Sequence, residues 1–202
     1  MHNANKKRAP ALLLGLSVLV GACSAWGGYE EGVSAYQRKN YATALEEFRP
    51  SAAEGNAGAQ FLLGYMYDRG LGVTQDIGEA VKWFRKAAEQ GEPHAQNELG
   101  TMYSAGRGVT QDDKEAVKWF RKAAEQGNAI AQFNLGLRYL EGQGVTQDYE
   151  SAFAWSNIAV AQGDKDSRKI RDMAENKMTP AQTQKAYELS IQYYKKYVAP
   201  FK

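Results

Sequence analysis

A block of 36 residues recurs three times head to tail along this chain, and the period can be read from Gly55, Gly91 and Gly127. The full copies run over 55–90, 91–126 and 127–162. A unit of this length cannot bury its apolar face alone, so neighbouring copies must stack and share a continuous core. The period therefore predicts a solenoid, and we expect its function to lie in the long surface that the stack presents.

Each copy contains two helical patterns separated by a glycine-rich turn. In the first copy, Ala59, Leu63 and Tyr67 recur every four residues, which is one face of a helix. We expect Gly70 to end this helix in the left-handed conformation, and Asp76 to begin the next by capping a free backbone N–H. The pattern predicts an all-α chain of helix pairs.

A glycine also recurs in the middle of the first helix of each copy, at Gly64, Gly100 and Gly136. Glycine inside a helix costs about 1 kcal/mol relative to alanine. A close approach between two helices at this point would offset the cost. We therefore expect the two helices of each copy to touch at these glycines.

The string AxxxLGxxYxxGxGVxxDxxxAxxWFxxAAxxG that the copies share resembles the Sel1-like repeat, a longer relative of the tetratricopeptide repeat. The third copy departs from it in the second helix, where Ser151 replaces an acidic residue, which weakens the expected cap there. The resemblance implies a right-handed α-solenoid of stacked helix-turn-helix units over residues 30–162. A shorter helical pair, over residues 32–54, would begin the stack.

After the third copy the period fades, and residues 163–202 are expected to form capping helices over the last unit. Thr179 and Pro180 are typical of a helix start. The helix that follows carries an aromatic stripe that includes Tyr193 and Tyr197. This stripe is expected either to pack on the last copy or to bind a partner.

The N-terminus has the pattern of a secretion signal. Lys6, Lys7 and Arg8 precede an apolar run over residues 11–20, which suits a signal peptide and is too short to remain as a membrane span. Removal of these three basic residues would leave 22 basic against 23 acidic residues. Nucleic-acid binding therefore has no electrostatic basis in this chain.

The only cysteine, Cys23, follows this run in the string VGAC, which resembles the lipobox of bacterial lipoproteins. The resemblance implies a signal peptide over residues 1–22, a lipid on Cys23 and a short tether over residues 23–29. With Ser24 next to the cysteine, it also implies the periplasmic side of a Gram-negative outer membrane. The alternative is a free cysteine that merely falls at this place.

The side chains that could perform catalysis are sparse. Beyond the leader, His94 is the one histidine, so neither a nucleophile–base pair nor a histidine metal site is expected. The carboxylate pairs Asp76/Glu79 and Asp112/Glu115 are explained by helix capping. The basic residues of the second helices are interpreted as solvated faces: Lys82, Arg85, Lys86, Lys118, Arg121 and Lys122. The sequence predicts a protein without catalytic residues, metal or cofactor.

The copies differ from one another along a second stripe of the first helix, about 150° around the helix from the invariant one. Positions fixed by stacking must be alike in every copy, whereas positions that face a partner need not be. This variable stripe consists of Phe61, Tyr65 and Asp68, then Asn97, Thr101 and Ser104, then Phe133, Leu137 and Leu140. Resemblance to tetratricopeptide stacks places it on the concave side, where it would bind a partner, although the last three residues could instead pack on the cap.

Two functions suit these expectations. The first is a non-enzymatic envelope lipoprotein that binds another protein or a peptide segment along the concave groove. The second follows from resemblance to lipid-anchored Sel1-like immunity proteins, and is a periplasmic blocker of a secreted toxic lipase. A glycan-active hydrolase using Glu79 or Glu115 is the least favoured alternative.

Overall fold

The computed structural model describes the backbone of residues 19–201 and the side chains from Gly28 onward. Most of the predicted signal peptide and the side chain of Cys23 lie outside this range, and the backbone of the predicted tether is helical. Within the described range the chain forms ten α-helices and one 3₁₀ turn. They are α1 (Leu19–Gln37), α2 (Tyr41–Ala53), α3 (Ala57–Arg69), α4 (Ile77–Glu89), α5 (Pro93–Ala105), α6 (Asp113–Glu125), α7 (Ala129–Glu141), α8 (Tyr149–Ala161), α9 (Ser167–Glu175), α10 (Pro180–Tyr197) and the 3₁₀ turn Ala199–Phe201.

The helices stack in pairs. The pairs α1/α2, α3/α4, α5/α6 and α7/α8 each pack together, and the second helix of each pair also packs on the first helix of the next. Phe48, Phe84 and Phe120 are fully buried at successive levels of this stack. The prediction of an all-α repeat solenoid is confirmed.

The predicted helix starts are confirmed by hydrogen bonds. The carboxylate of Asp76 accepts from the backbone N–H of Glu79 at 3.0 Å, and Asp112 caps α6 in the same way. The third copy keeps the cap despite its departure at Ser151. There Asp148 accepts from the backbone N–H of Ser151 at 3.1 Å and from its hydroxyl at 2.6 Å. The hydroxyl of Ser151 therefore adds a second hydrogen bond to the capping carboxylate of Asp148.

The mid-helix glycines mark close helix contacts, as predicted. A Cβ added at Gly64 would lie 2.9 Å from the ring of Phe84, and one at Gly100 would lie 2.8 Å from the ring of Phe120. Gly70 ends α3 with φ of 66°, in the left-handed region that the turn requires. The sequence pattern thus locates both the helix contacts and the helix end.

Buried glutamines connect one copy to the next. Gln96 donates to the backbone oxygen of Ala88 in the preceding copy at 3.1 Å, and accepts from the side chain of Gln126 at 2.8 Å. Gln60 and Gln132 make the same two bonds at their own levels. Each side chain thereby gives a second hydrogen bond to a carbonyl near the end of a second helix, which also accepts from the backbone N–H of the glycine three residues later.

The C-terminal helices cap the stack in two directions. α9 packs on α7 and α8, whereas α10 packs across α8 and reaches α6. Thr179 begins α10 with a capping box, which confirms the predicted helix start. The rings of Tyr193 and Tyr197 lie 4.5 Å and 5.4 Å from the ring of Trp155, so this part of the aromatic stripe packs on the last copy. Ala154 is buried in α8, where the earlier copies have an exposed lysine.

Two of the basic side chains expected to be solvated are engaged between copies. Arg85 donates to the hydroxyl of Tyr103 at 2.9 Å, and Arg121 donates to that of Tyr139 at 2.6 Å. Each guanidinium also lies over the ring of its tyrosine. The expectation was wrong for these two arginines because the next copy brings an invariant tyrosine within their reach. Lys82 is exposed, as predicted.

Candidate protein-interaction surface

The variable stripe lies on α3, α5 and α7, and its members differ in exposure. Asp68, Asn97 and Leu140 are buried, with 3%, 5% and 8% of their surface exposed. The other six are half-buried: Phe61, Tyr65, Thr101, Ser104, Phe133 and Leu137. The stripe is therefore not one uniformly exposed groove, and each copy uses it differently.

In the first copy the polar end of the stripe joins α3 to the second copy. The carboxylate of Asp68 accepts from Nη2 of Arg107 at 2.5 Å, and its other oxygen lies 3.2 Å from Nε of Arg69. An ion pair that buries one partner is costly to break from one side. Asp68 thus acts in the stack itself, and Arg107, which sequence reasoning missed, is its partner.

The aromatic end of the first copy is also engaged. The ring of Phe61 lies 5.9 Å from that of Phe84 and 5.6 Å from that of His94. Tyr65 packs against the same core and carries the guanidinium of Arg69 over its ring at 5.4 Å. His94 itself is exposed, as predicted. Phe61 and Tyr65 therefore offer only the outer part of their rings to a partner.

The stripe of the second copy joins α5 to α7. Nδ2 of Asn134 donates to Oδ1 of Asn97 at 2.9 Å, and Arg138 donates to the hydroxyl of Ser104. Thr101 lies between these contacts, and its hydroxyl donates to the carbonyl of Asn97 in its own helix. Polar contacts thus link the first helix of one copy to the next copy at both junctions.

The stripe of the third copy is apolar and faces an open space. Phe133, Leu137 and Leu140 line a cavity of about 680 Å³ between α7 and α9. Ile170 and Met173 of α9 line its opposite side. Leu140 is closed over by the cap, so the packing alternative holds for that residue. Phe133 and Leu137 contact the same cluster but remain half-exposed in the cavity, which we call the terminal groove.

Glu98 lies close to the ion pair that links the first two copies. Burial raises its pKa, and the negative charge of Asp68 raises it further, against the opposing effect of Arg69 and Arg107. The folded state therefore holds this proton to a higher pH than the unfolded chain does. Its contribution to stability is complete below the unfolded pKa and is lost as the pH rises through the folded pKa.

Glu98→Gln is accordingly expected to change stability in a pH-dependent way. The variant should gain in urea midpoint over the wild type as the pH rises from about 4 to about 7, because only the wild type then buries a growing negative charge. Glu89→Gln, at an exposed position on α4, controls for the removal of one carboxylate. A difference that shrinks with rising pH would contradict this account of Glu98.

The described residues contain no cluster of three or more His, Cys, Asp or Glu side chains that could hold a metal ion. In the same part of the chain, no helix has the length and apolar character needed to cross a bilayer. The features that stand out chemically are the contacts between first helices and the terminal groove. Their arrangement is that of a helical-repeat protein.

The family is shown by comparison with known proteins. The model of the Sel1 repeat matches residues 57–92, 93–128 and 129–164, which are the three copies with each boundary two residues later. This chain belongs to the Sel1 repeat family. Such repeats commonly mediate protein–protein interactions, and their proteins are typically non-enzymatic scaffolds. No curated protein matches the chain significantly.

Several solved structures are similar. A Sel1 repeat protein from Oxalobacter formigenes is 40% identical with a TM-score of 0.66, over 69% of this chain and 57% of that one. The protective antigen c5321 of uropathogenic Escherichia coli, which displays an SLR fold, is 33% identical with a TM-score of 0.63, over 87% of this chain and 46% of that one. This chain thus spans about half the length of either relative.

Proposed function

We propose that this chain is a non-enzymatic envelope lipoprotein that binds another protein, or a peptide segment of one, through the face formed by its first helices. The observation that supports this most directly is the terminal groove. In the first two copies the variable stripe bonds to polar side chains of the next copy, whereas in the third copy Phe133 and Leu137 face an open cavity. An apolar concave site of this size is typical of binding.

The stack also suits binding because its surface is formed in advance. The buried glutamines hold each first helix against the second helix before it, and the Asp68–Arg107 pair links the first two copies. A partner therefore loses little binding free energy to ordering this face. A pre-formed binding surface suits a scaffold protein and a toxin blocker equally well. The identity of the partner therefore distinguishes these two roles.

Attachment to the membrane is the second part of the proposal. The support is the sequence VGAC at Cys23, directly after the apolar run, and lipidation there would place the stack at the envelope surface. We expect the intact mass of the mature protein to show several acyl chains on an N-terminal Cys23. Cys23→Ala should leave the leader attached, and the additional mass of the acyl chains should be absent. A mature protein that starts elsewhere, without lipid, would overturn this part.

Site-specific photo-cross-linking tests the binding face. A benzoyl-phenylalanine in place of Phe133 is expected to capture a discrete protein in intact cells, because its ring would lie in the terminal groove. The same residue in place of Lys118, which is exposed on α6, is the control and should capture nothing discrete. A captured secreted lipase would favour the immunity role, and a resident envelope protein would favour the scaffold role. Equal capture at both positions would reject the first-helix face.

A further inference from the structure

The junction between α7 and α9 differs from the two junctions before it. Asp68 of α3 pairs with Arg107 in the turn that follows α5, and Asn97 of α5 bonds to Asn134 of α7. At the third junction, the position of α7 that corresponds to Asn97 carries Phe133. The terminal groove between α7 and α9 stays open there. The groove therefore occupies the place where polar side chains of the next copy make contacts at the earlier junctions.

The shape and lining of the groove suit a helix. Phe133, Leu137 and the more deeply buried Leu140 are spaced four and three residues apart, so they form one ridge on α7, of which Phe133 and Leu137 remain half-exposed. The ridge extends about 10 Å along the helix axis, or two turns. Ile170 and Met173 face it from α9, and Met173 is 46% exposed although it is apolar. Ridges of this kind pack against the side chains of a second helix.

The lysines on the α9 side of the groove favour an occupant that carries negative charge. Lys165, Lys169 and Lys177 line the groove, all three are exposed, and none forms an ion pair in the described part of the chain. Glu141 and Asp166 also line it, so the margin is basic by one charge, with the lysines on the α9 side. Carboxylates on an occupant would find three unpaired ammonium groups there.

We propose that the terminal groove binds an amphipathic helical segment of a partner protein, with apolar side chains against α7 and acidic side chains towards α9. This rests on the proposed function and specifies the chemistry of its partner. Apolar anchors at positions i, i+3 or i+4, and i+7 would fill the ridge on α7, as in other complexes of a helix in a groove. The acidic flank fixes the orientation of the segment.

Selection from a displayed library tests the chemistry without knowledge of the partner. Random peptides of about 16 residues, or four helical turns, are selected against the purified full-length protein. The selected peptides should be amphipathic, acidic on one flank and helical by circular dichroism when bound. Their affinity should fall about ten-fold or more in Lys169→Glu/Lys177→Glu. Lys185→Glu/Lys195→Glu, which makes the same charge change at exposed positions of α10, should leave it unchanged.

A second pair of measurements separates this inference from the function on which it rests. If cross-linking at Phe133 captures a partner whose binding survives the reversal of Lys169 and Lys177, the acidic helix is rejected and the binding face stands. Selected peptides that are basic, extended or indifferent to the reversal would also overturn the inference, as would a library without binders. Groove-dependent binding of a fluorescent fatty acid, lost in Met173→Asp, would assign the groove to a lipid instead.

Discussion

Trp155→Ala is expected to destabilise the protein by about 3–5 kcal/mol and to detach the C-terminal half of α10. Trp155 is 1% exposed, and Tyr193 and Tyr197 both contact its ring. Its removal would leave a cavity under α10, and the C-terminal half of α10 would lose the ring against which it packs. Hydrogen exchange should show a loss of protection over residues 190–198, and urea unfolding should show a lower midpoint.

Trp83→Ala provides the matched control because Trp83 occupies the same repeat position in α4. It is half-buried, the ammonium of Lys86 lies over its ring, and it contacts the core cluster of the first levels of the stack. This variant should lose less stability and should leave the protection of α10 intact. The first half of α10 should stay protected in both variants, since Tyr187 packs edge-on against Phe153. Equal loss of α10 protection in both would contradict the assigned role of Trp155.

Gly100→Ala is expected to destabilise the protein by about 1–3 kcal/mol, against the usual gain of a helical alanine. The new Cβ would lie 2.8 Å from two ring atoms of Phe120 and 3.2 Å from the backbone oxygen of Ala116. Phe120 is 1% exposed and cannot move aside. Thermal unfolding of the variant measures the cost.

A double-mutant cycle shows whether the cost arises from this one contact. Phe120→Ala alone should cost about 3–5 kcal/mol, and the double variant should cost less than the sum of the two. Gly78→Ala is the control, since Gly78 is exposed in α4 and the later copies have lysine or glutamate at its position. It should leave stability unchanged or raise it. Additive costs in the cycle would show that Gly100 acts through another neighbour.

The fold was predictable because repetition reveals what packing requires. The invariant positions Gly64, Gly100 and Gly136 are the places where the structure brings two helices of a copy together. The caps at Asp76 and Asp112 follow from local hydrogen bonding, which depends on a few neighbouring residues only. Local geometry and repetition together fixed the helices, their ends and their stacking.

The interaction surface was less predictable because its contacts cross between copies at positions that vary. Asp68 and Arg107 are 39 residues apart, and neither recurs at its own repeat position, so no periodic signal joins them. Variation was interpreted as freedom to bind a partner, but part of it reflects pairing between neighbours. The exposure of Phe133 depends on where α9 lies, and α9 is outside the period.

The buried glutamines have a consequence for how the stack can change in length. Gln60, Gln96 and Gln132 make equivalent bonds at three successive boundaries, so these boundaries share one set of contacts although their other polar pairs differ. In the described part of the chain, the C-terminal helices pack mainly on α6, α7 and α8. Copies could therefore be added or removed upstream of α6 while the terminal groove keeps every residue that forms it. The length of the stack could thus differ while its C-terminal end stays the same.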